Sequence, residues 1–252
     1  MKITTWNVNS LKVRLPHVLE YLANEQPDVL ALQETKQQDK EFPQAEIEAA
    51  GYHVQFSGQK TYNGVAMISR EEATDMVFDV PKLDDPQRRL LAATIDGVRV
   101  IDVYIPNGQE VGCDKYQYKF RWLNALRDFL RTELERHEKL VLLGDYNIAP
   151  ADLDIHDPSR WVEKIMCSTP EREWFFSLMD LGLYDSIRQL HPEDAMHSWW
   201  DYRSNAFRRK WGIRIDHILA TSALQIQAGG VHIDYRAKER PSDHAPVWAE
   251  LS

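Results

Sequence analysis

Cysteine is nearly absent from this 252-residue chain, which holds only Cys113 and Cys167. Two thiols cannot build a disulfide framework, and neither lies in a Cys-x-x-Cys pair, so neither a stapled secreted scaffold nor a thiolate zinc site is indicated. Long apolar runs are missing as well. No stretch approaches the ~18 residues of a membrane span. The start, Met1-Lys2-Ile3-Thr4-Thr5-Trp6-Asn7, has neither an apolar signal core nor a small-residue cleavage site. A cytoplasmic protein without a membrane partner is therefore expected. Positive charge is not in excess: 30 Lys and Arg face 39 Asp and Glu, a net charge of −9. That excludes a wholly basic surface but not local basic patches, which are what set phosphate binding. Linkers rich in Pro, Gly or Ser, low-complexity segments and repeats are also lacking. What remains is globular, 43% hydrophobic and 27% charged, which rules out disorder. The length supports a sizeable core. A single domain over 1–252 and a monomer are expected.

Short apolar runs bounded by turn residues predict strands at 2–8, 28–32, 52–56, 64–69, 90–95, 98–105, 139–143, 213–220, 230–235 and 245–251. Asp96-Gly97 is a hairpin turn between two of them. Helical spacing appears at 11–22 and 116–136, and again after Pro170, ended by Gly182. Strands outnumber helices and several are joined as hairpins. A mixed-sheet α/β sandwich with helices outside is favoured over a parallel doubly wound fold.

The informative polar residues sit at the ends of the apolar strands. Asn7 closes the first and Glu34 the second; Asp145 and Asn147 follow Leu143-Gly144. Asp216 lies in Arg214-Ile215-Asp216-His217, and Asp243-His244 precede the last strand. Taken singly each has an ordinary explanation: a solvated acid, a turn residue, a side-chain cap. Together, four acids, two asparagines and a histidine at strand ends form the pattern of a hard-metal site with oxygen ligands and a catalytic His. Strand parity puts Asp145 and Asn147 on one side and Tyr146 on the other. By the same parity His217 faces away from Asp216, as a core or supporting histidine. No nucleophilic serine elbow, Gly-rich phosphate loop or His-Glu-x-x-His motif competes with this reading.

The blocks Trp6-Asn7-Val8-Asn9-Ser10-Leu11, Leu32-Gln33-Glu34-Thr35-Lys36, Leu143-Gly144-Asp145-Tyr146-Asn147-Ile148-Ala149-Pro150, Ile213-Arg214-Ile215-Asp216-His217 and Ser242-Asp243-His244-Ala245-Pro246 occur in that order. So do Tyr62-Asn63-Gly64 and Tyr104-Ile105-Pro106-Asn107-Gly108. Each block is weak alone; the ordered set resembles the exonuclease III family of apurinic/apyrimidinic endonucleases. The resemblance implies a four-layered α/β sandwich of the deoxyribonuclease I type, with two mixed β-sheets packed face to face. It implies Mg²⁺ or Mn²⁺, hydrolysis of double-stranded DNA 5′ to abasic sites, and removal of blocking groups from damaged 3′ ends. In some members it also implies 3′ to 5′ exonuclease action.

Within that frame the groups divide by chemistry. Hydrolysis of a phosphodiester needs an in-line activated water and stabilisation of developing negative charge. Glu34 is the first metal ligand, with Asn7 as amide ligand or orienter and Asp243 as a supporting metal group or neighbour of the leaving oxygen. Asp145 orients or deprotonates the water. Asn147 bonds the phosphate or fixes Asp145. His244 donates to a non-bridging oxygen, Asp216 holds its imidazole, and Tyr104 offers its phenol. Asp145, Asn147 and His244 are also counted with the metal environment.

For DNA contact the sequence offers 203–214, with five positive charges, no acid, and Phe207 and Trp211 interleaved. Such a run is often only a solvated loop. Its place between two site blocks favours DNA contact by Arg203, Phe207, Arg208, Arg209, Lys210 and Trp211. Lys115, Lys119 and Arg121 open the long helix. The resemblance places Trp199 as an aromatic pocket wall and the 203–211 region against the duplex, where an abasic nucleotide is flipped. Met166 stands near a position that many members fill with a small residue. Its bulk is expected to hinder a flipped nucleotide more than a 3′ end, unless it packs into the core. The alternatives are a DNA-binding module without catalysis, and a phosphatase of the same superfamily acting on phospholipid or another phosphoester. The first leaves the clustered acids unexplained, since they repel phosphate without a metal. The second lacks a lipid-facing amphipathic segment.

Overall fold

The computed structural model describes residues 1–252. The strands, in chain order, are β1 (Lys2–Asn7), β2 (Val29–Gln33), β3 (His53–Ser57), β4 (Val65–Ser69), β5 (Thr74–Phe78), β6 (Leu90–Ile95), β7 (Val98–Tyr104), β8 (Leu140–Asp145), β9 (Leu183–Asp185), β10 (Asp216–Thr221), β11 (Ile226–Val231) and β12 (Val247–Leu251). The helices are α1 (Leu11–Glu25), α2 (Gln44–Ala49), α3 (Asp114–Arg136), α4 (Thr169–Ser177) and α5 (Ser186–Leu190). Two six-stranded sheets result, ordered β11-β12-β1-β2-β4-β3 and β5-β6-β7-β8-β10-β9.

The alternation of side chains along a strand builds the layers. Ile3, Val29, Ala31, Val65 and Met67 of the first sheet meet Leu91, Val98, Val100, Val141, Leu143 and Ile218 of the second in one buried core. The opposite face of the first sheet takes Leu11, Val18, Tyr21 and Leu22 of α1. The opposite face of the second takes Trp122, Leu123, Leu126 and Leu130 of α3 with Trp174 and Phe175 of α4. This is the expected four-layered sandwich.

Two strand pairs are parallel, β1 with β2 and β7 with β8. Parallel neighbours need a crossover, and α1 and α3 supply them. The carboxyl ends of these four strands carry Asn7, Gln33-Glu34, Tyr104 and Asp145. Antiparallel pairing brings the amino end of β10 beside the end of β8, with Asp216 opposite Asp145. It also brings the residues before β12 beside the end of β1. Along the inner faces the rows run from apolar to polar toward one end: Ile3-Thr5-Asn7, Ala31-Gln33, Val100-Asp102-Tyr104, Leu143-Asp145. Gly144 is required at this end, because a Cβ there would lie 1.9 Å from the carbonyl oxygen of Val103.

Two expectations need correction. The strand predicted at 230–235 is β11, ending at Val231, followed by a 3₁₀ turn at Ile233–Ala237. The edge strands β5 and β9 were not expected; β5 is mostly exposed, so it lacks the apolar alternation that marks a strand.

Candidate active site

Asn7 is fully buried and joins the two sheets, its Nδ2 donating to Glu34 Oε1 at 2.9 Å and to Asp145 Oδ2 at 2.9 Å. The backbone N–H of Asn9 holds Asn7 Oδ1 at 2.9 Å, which fixes the amide orientation. Glu34, in left-handed backbone just past β2, is half-buried. Its other oxygen lies 2.8 Å from Lys36 Nζ. A cationic partner for Glu34 is not evident from sequence, and the structure supplies one two residues on. Burial works against its charge, but Lys36, Asn7 and His244 outweigh it and hold the carboxyl below its ordinary range.

Asp145 Oδ1 accepts the backbone N–H of Asn147 at 2.9 Å. The chain turns there through left-handed backbone at Asn147 and sends Tyr146 into the α-layer core. Asn147 Nδ2 donates to Ile105 O at 3.0 Å, and Asn107 Nδ2 donates to Asn147 Oδ1 at 2.9 Å. Burial, with Asp216 and Glu34 nearby, pushes the Asp145 carboxyl up to about 7 against the pull of His244 and Asn7.

His244 Nδ1 pairs with Asp216 Oδ2 at 2.8 Å, and its Nε2 is 3.8 Å from Asp145 Oδ2. Burial alone would depress this imidazole. Asp216 and Asp145 outweigh it and raise it to about 10, so it is a protonated donor near neutral pH. Ser198 donates to Asp216 Oδ2 at 2.6 Å and accepts the N–H groups of Ile215 and Asp216. Ser242 Oγ accepts the N–H of His244 and donates to Asn7 O at 2.7 Å, making the turn that lets neighbours Asp243 and His244 converge. Asp243 is held by Asn9 Nδ2 at 2.8 Å and Trp199 Nε1 at 3.0 Å. Those donors and His244 offset its burial and keep it below the usual range. Tyr104 stacks under the Arg89 guanidinium, 4.5 Å from the ring centre. Burial and Glu34 raise its phenol, which keeps its proton.

Ser198, Asn9, Lys36 and Asn107 were not singled out from sequence. The last three lie inside the motif blocks, so their signal was present; Ser198 has none. His217 is a core residue, its Nε2 2.8 Å from Ile148 O, packed on Tyr146 and Phe175.

The donor set suits a hard cation. Ligand atoms of Asp145, Asp216 and His244 lie within 4.8 Å of one another. The protonated His244 has no lone pair to offer, so the oxygens carry the fit. Asp216 Oδ1 is buried without a hydrogen-bond partner, an acceptor that a cation or its water would satisfy.

Beside Tyr104 opens a cavity of about 820 Å³ lined by Tyr62, Asn63, Arg89, Asn107 and Lys115 among others. Lys115 is exposed there; Lys119, expected beside it, is buried against Glu171 and donates to Asn147 O at 2.8 Å. In the 203–214 stretch, Arg208, Arg209 and Lys210 are exposed, whereas Arg203 is tied to Asp201 at 2.6 Å. Arg214 is not a free cation: it is buried between Asp154 at 2.7 Å and Asp185 at 2.8 Å. Phe207 packs on Trp200 at 5.2 Å and under Arg236, and Trp211 lies between His156 and Arg209. Met166 is 5% exposed, in a cluster with Ala149, Ile155, Cys167, Ile213 and Ile215 against which Trp199 packs. Its flexible side chain fills that cluster from left-handed backbone rather than standing free in the cleft.

Residues 4–244 match the endonuclease/exonuclease/phosphatase family. The chain is similar to exodeoxyribonuclease III of Haemophilus influenzae, 38% identical over 267 aligned positions covering 100% of each chain. Among solved structures it resembles a 3′ phosphatase from Neisseria bound to a product DNA hairpin, at 56% identity and a TM-score of 0.99, covering 100% of this chain and 99% of that one. It also resembles an AP endonuclease from Archaeoglobus fulgidus, at 37% identity and a TM-score of 0.96, with coverage of 100% and 99%. The chain therefore belongs to the endonuclease/exonuclease/phosphatase family, among its exodeoxyribonuclease III-type hydrolytic nucleases.

Proposed function

We propose that this protein is a Mg²⁺- or Mn²⁺-dependent DNA repair nuclease that cleans damaged 3′ ends at least as well as it incises abasic sites, acting as a monomer on double-stranded DNA. The observation that carries the catalytic part is the convergence of Asn7, Glu34, Tyr104, Asp145, Asn147, Asp216 and His244 at one end of both sheets. Glu34, beside Asn7 and with Asp145 and Asp216 nearby, would hold the cation, which when bound supplies Lewis acidity to the phosphate. Asp145, with a carboxyl near 7, accepts the proton of the attacking water. His244, as imidazolium oriented by Asp216, donates to a phosphate oxygen whose charge grows in the transition state. Tyr104 and Asn147 add neutral donors. Asp243 positions Trp199 and the His244 turn. Lys115 and the 203–211 loop, through Arg208, Arg209 and Lys210, would hold the strand on either side.

Glu34→Gln is expected to remove most activity and to regain part of it at higher Mg²⁺, because it takes one charge from the cation site while Asp145 and Asp216 remain. An unchanged rate and metal requirement would take Glu34 out of the site. Replacing Arg208, Arg209 and Lys210 with Ala is expected to weaken DNA binding and flatten its salt dependence, by up to ~0.9 in log–log slope for each phosphate that the loop neutralises. An unchanged slope returns the loop to solvent.

The preference for 3′ ends is supported by the likeness to a 3′ phosphatase; Met166 does not itself block the cleft, because it is packed in the cluster behind Trp199 and reaches the cleft only through that residue. Emptying that cluster would let Trp199 settle back and widen the room for a flipped nucleotide. Met166→Gly suits the left-handed backbone. It is expected to shift the ratio of kcat/KM on abasic and 3′-phosphate duplexes toward incision. A ratio that stays put removes Met166 from specificity. Cleavage of abasic, 3′-phosphate and undamaged duplexes, with Mg²⁺ and with EDTA, tests the proposed activity as a whole.

A further inference from the structure

One layer below the Asn7–Glu34–Asp145 bridge lies a second polar contact between the sheets. Gln33 of β2 and Asp102 of β7 are both fully buried. Gln33 Nε2 donates to Asp102 Oδ1 at 2.6 Å and to Thr5 Oγ1 at 2.9 Å. Gln33 precedes Glu34 in the chain. Asp102 shares its strand face with Tyr104, whose backbone pairs with Asp145. Asp102 has no cation within ion-pair reach; Gln33 is the only side chain bonded to it.

Two atoms of this pair are left over. Gln33 Oε1 and Asp102 Oδ2 are both buried with no hydrogen-bond partner. Both are acceptors if Asp102 is a carboxylate, and an isolated buried carboxylate is among the costliest groups a core can hold. One proton resolves both. With a hydroxyl on Oδ2, the acid becomes a donor and can face the amide in a two-point pair: Nε2–H to Oδ1, and O–H to Oε1. Neutral, it also adds no charge beneath Glu34, Asp145, Asp216 and Asp243, where a further anion would oppose phosphate. Burial acts in the same direction, pushing this carboxyl well above its ordinary range.

We infer that Asp102 is a proton-bearing acid that clamps Gln33 across the two sheets and thereby positions Glu34 on one sheet against Tyr104 and Asp145 on the other. Asp102 and Gln33 touch no substrate; they are positioning residues, and the inference rests on the assignment of Glu34, Tyr104 and Asp145 to the reaction. A contact in the layer directly beneath the site sets its spacing, and a misplacement of about 1 Å in a reacting group can cost on the order of 100-fold in rate.

The test has a spectroscopic and a kinetic arm. The infrared difference between the natural protein and Asp102→Asn at neutral pH should show the carbonyl band of a protonated carboxyl lost on substitution. A lost carboxylate band instead overturns the inference. Asp102→Asn can rebuild both hydrogen bonds as an amide–amide pair, so its Tm, kcat and metal-activation constant should stay within about twofold of the natural values, the rescue expected of a conservative variant. The double variant Gln33→Leu/Asp102→Leu removes both partners together, which a core tolerates far better than one orphan. It should fold with a similar Tm, yet need more Mg²⁺ for half-maximal rate and lose roughly ten- to a hundredfold in kcat. A double variant with natural kcat and metal requirement rejects the clamp. So does an Asp102→Asn protein that restores neither Tm nor rate. If Glu34→Gln proves silent, the active-site reading fails while the infrared result on Asp102 stands.

Discussion

Asp145→Asn should leave DNA bound and lower kcat by roughly 10²- to 10⁴-fold, the range over which a positioned general base contributes. The carboxamide keeps an acceptor for the Asn147 N–H, so the turn after β8 survives. It loses the basic oxygen that faces Asn7 Nδ2 and His244 Nε2 at 2.9 and 3.8 Å. Removing that oxygen takes away the carboxyl that burial has raised to about 7. Such a group is ionised enough at neutral pH to accept a proton, yet basic enough to draw one from water. Because proton removal matters in the transition state and not in binding, the loss should appear equally in kcat and kcat/KM, with the DNA dissociation constant unchanged. A variant that binds DNA more weakly but turns over at the natural rate would show that Asp145 only positions the strand.

Much of this arrangement was legible beforehand because the site is built on strand ends. The runs that end at Asn7, Glu34 and Asp145 are apolar and short, and parity orders the side chains within each. Asp145 and Asn147 could be placed together, and Tyr146 and His217 sent into the core, without knowing the sheet order. What sequence could not supply is pairing across the molecule. Nothing near residue 198 in the chain points to the carboxylate of Asp216, and nothing near 102 points to Gln33. Charge was the least readable property. Arg214 and Lys119 look like members of basic surface runs, yet each is buried in an ion pair with an acid far away in sequence. With Arg203 tied to Asp201, the cations of the 203–214 stretch that do stay exposed and free are Arg208, Arg209 and Lys210, a local patch on a chain whose net charge is −9. The buried pairs withdraw acid and base together, and part of the remaining acid lines the candidate cation site.

His244→Ala should cost about 10²- to 10³-fold in kcat, the usual worth of a donor aimed at developing oxyanion charge. The pH profile separates this role from a structural one. In the natural protein the rate should rise as Asp145 loses its proton and fall as His244 loses its own near 10. Both groups are 3.8 Å apart, so the two limbs belong to the pair rather than to either residue. Without a cation the Asp145 carboxyl is raised to about 7, and a bound cation moves the acid limb of the rate lower. His244→Ala removes the alkaline limb altogether. It should also move the acid limb upward, since the imidazolium is the charge that most strongly favours the Asp145 anion. Asp216→Asn should act in the opposite sense on His244. Losing the carboxylate at 2.8 Å lowers the imidazole toward its ordinary value and brings the alkaline limb down toward neutrality. A profile whose alkaline limb survives in His244→Ala would assign that proton elsewhere, with Tyr104 the next group to examine.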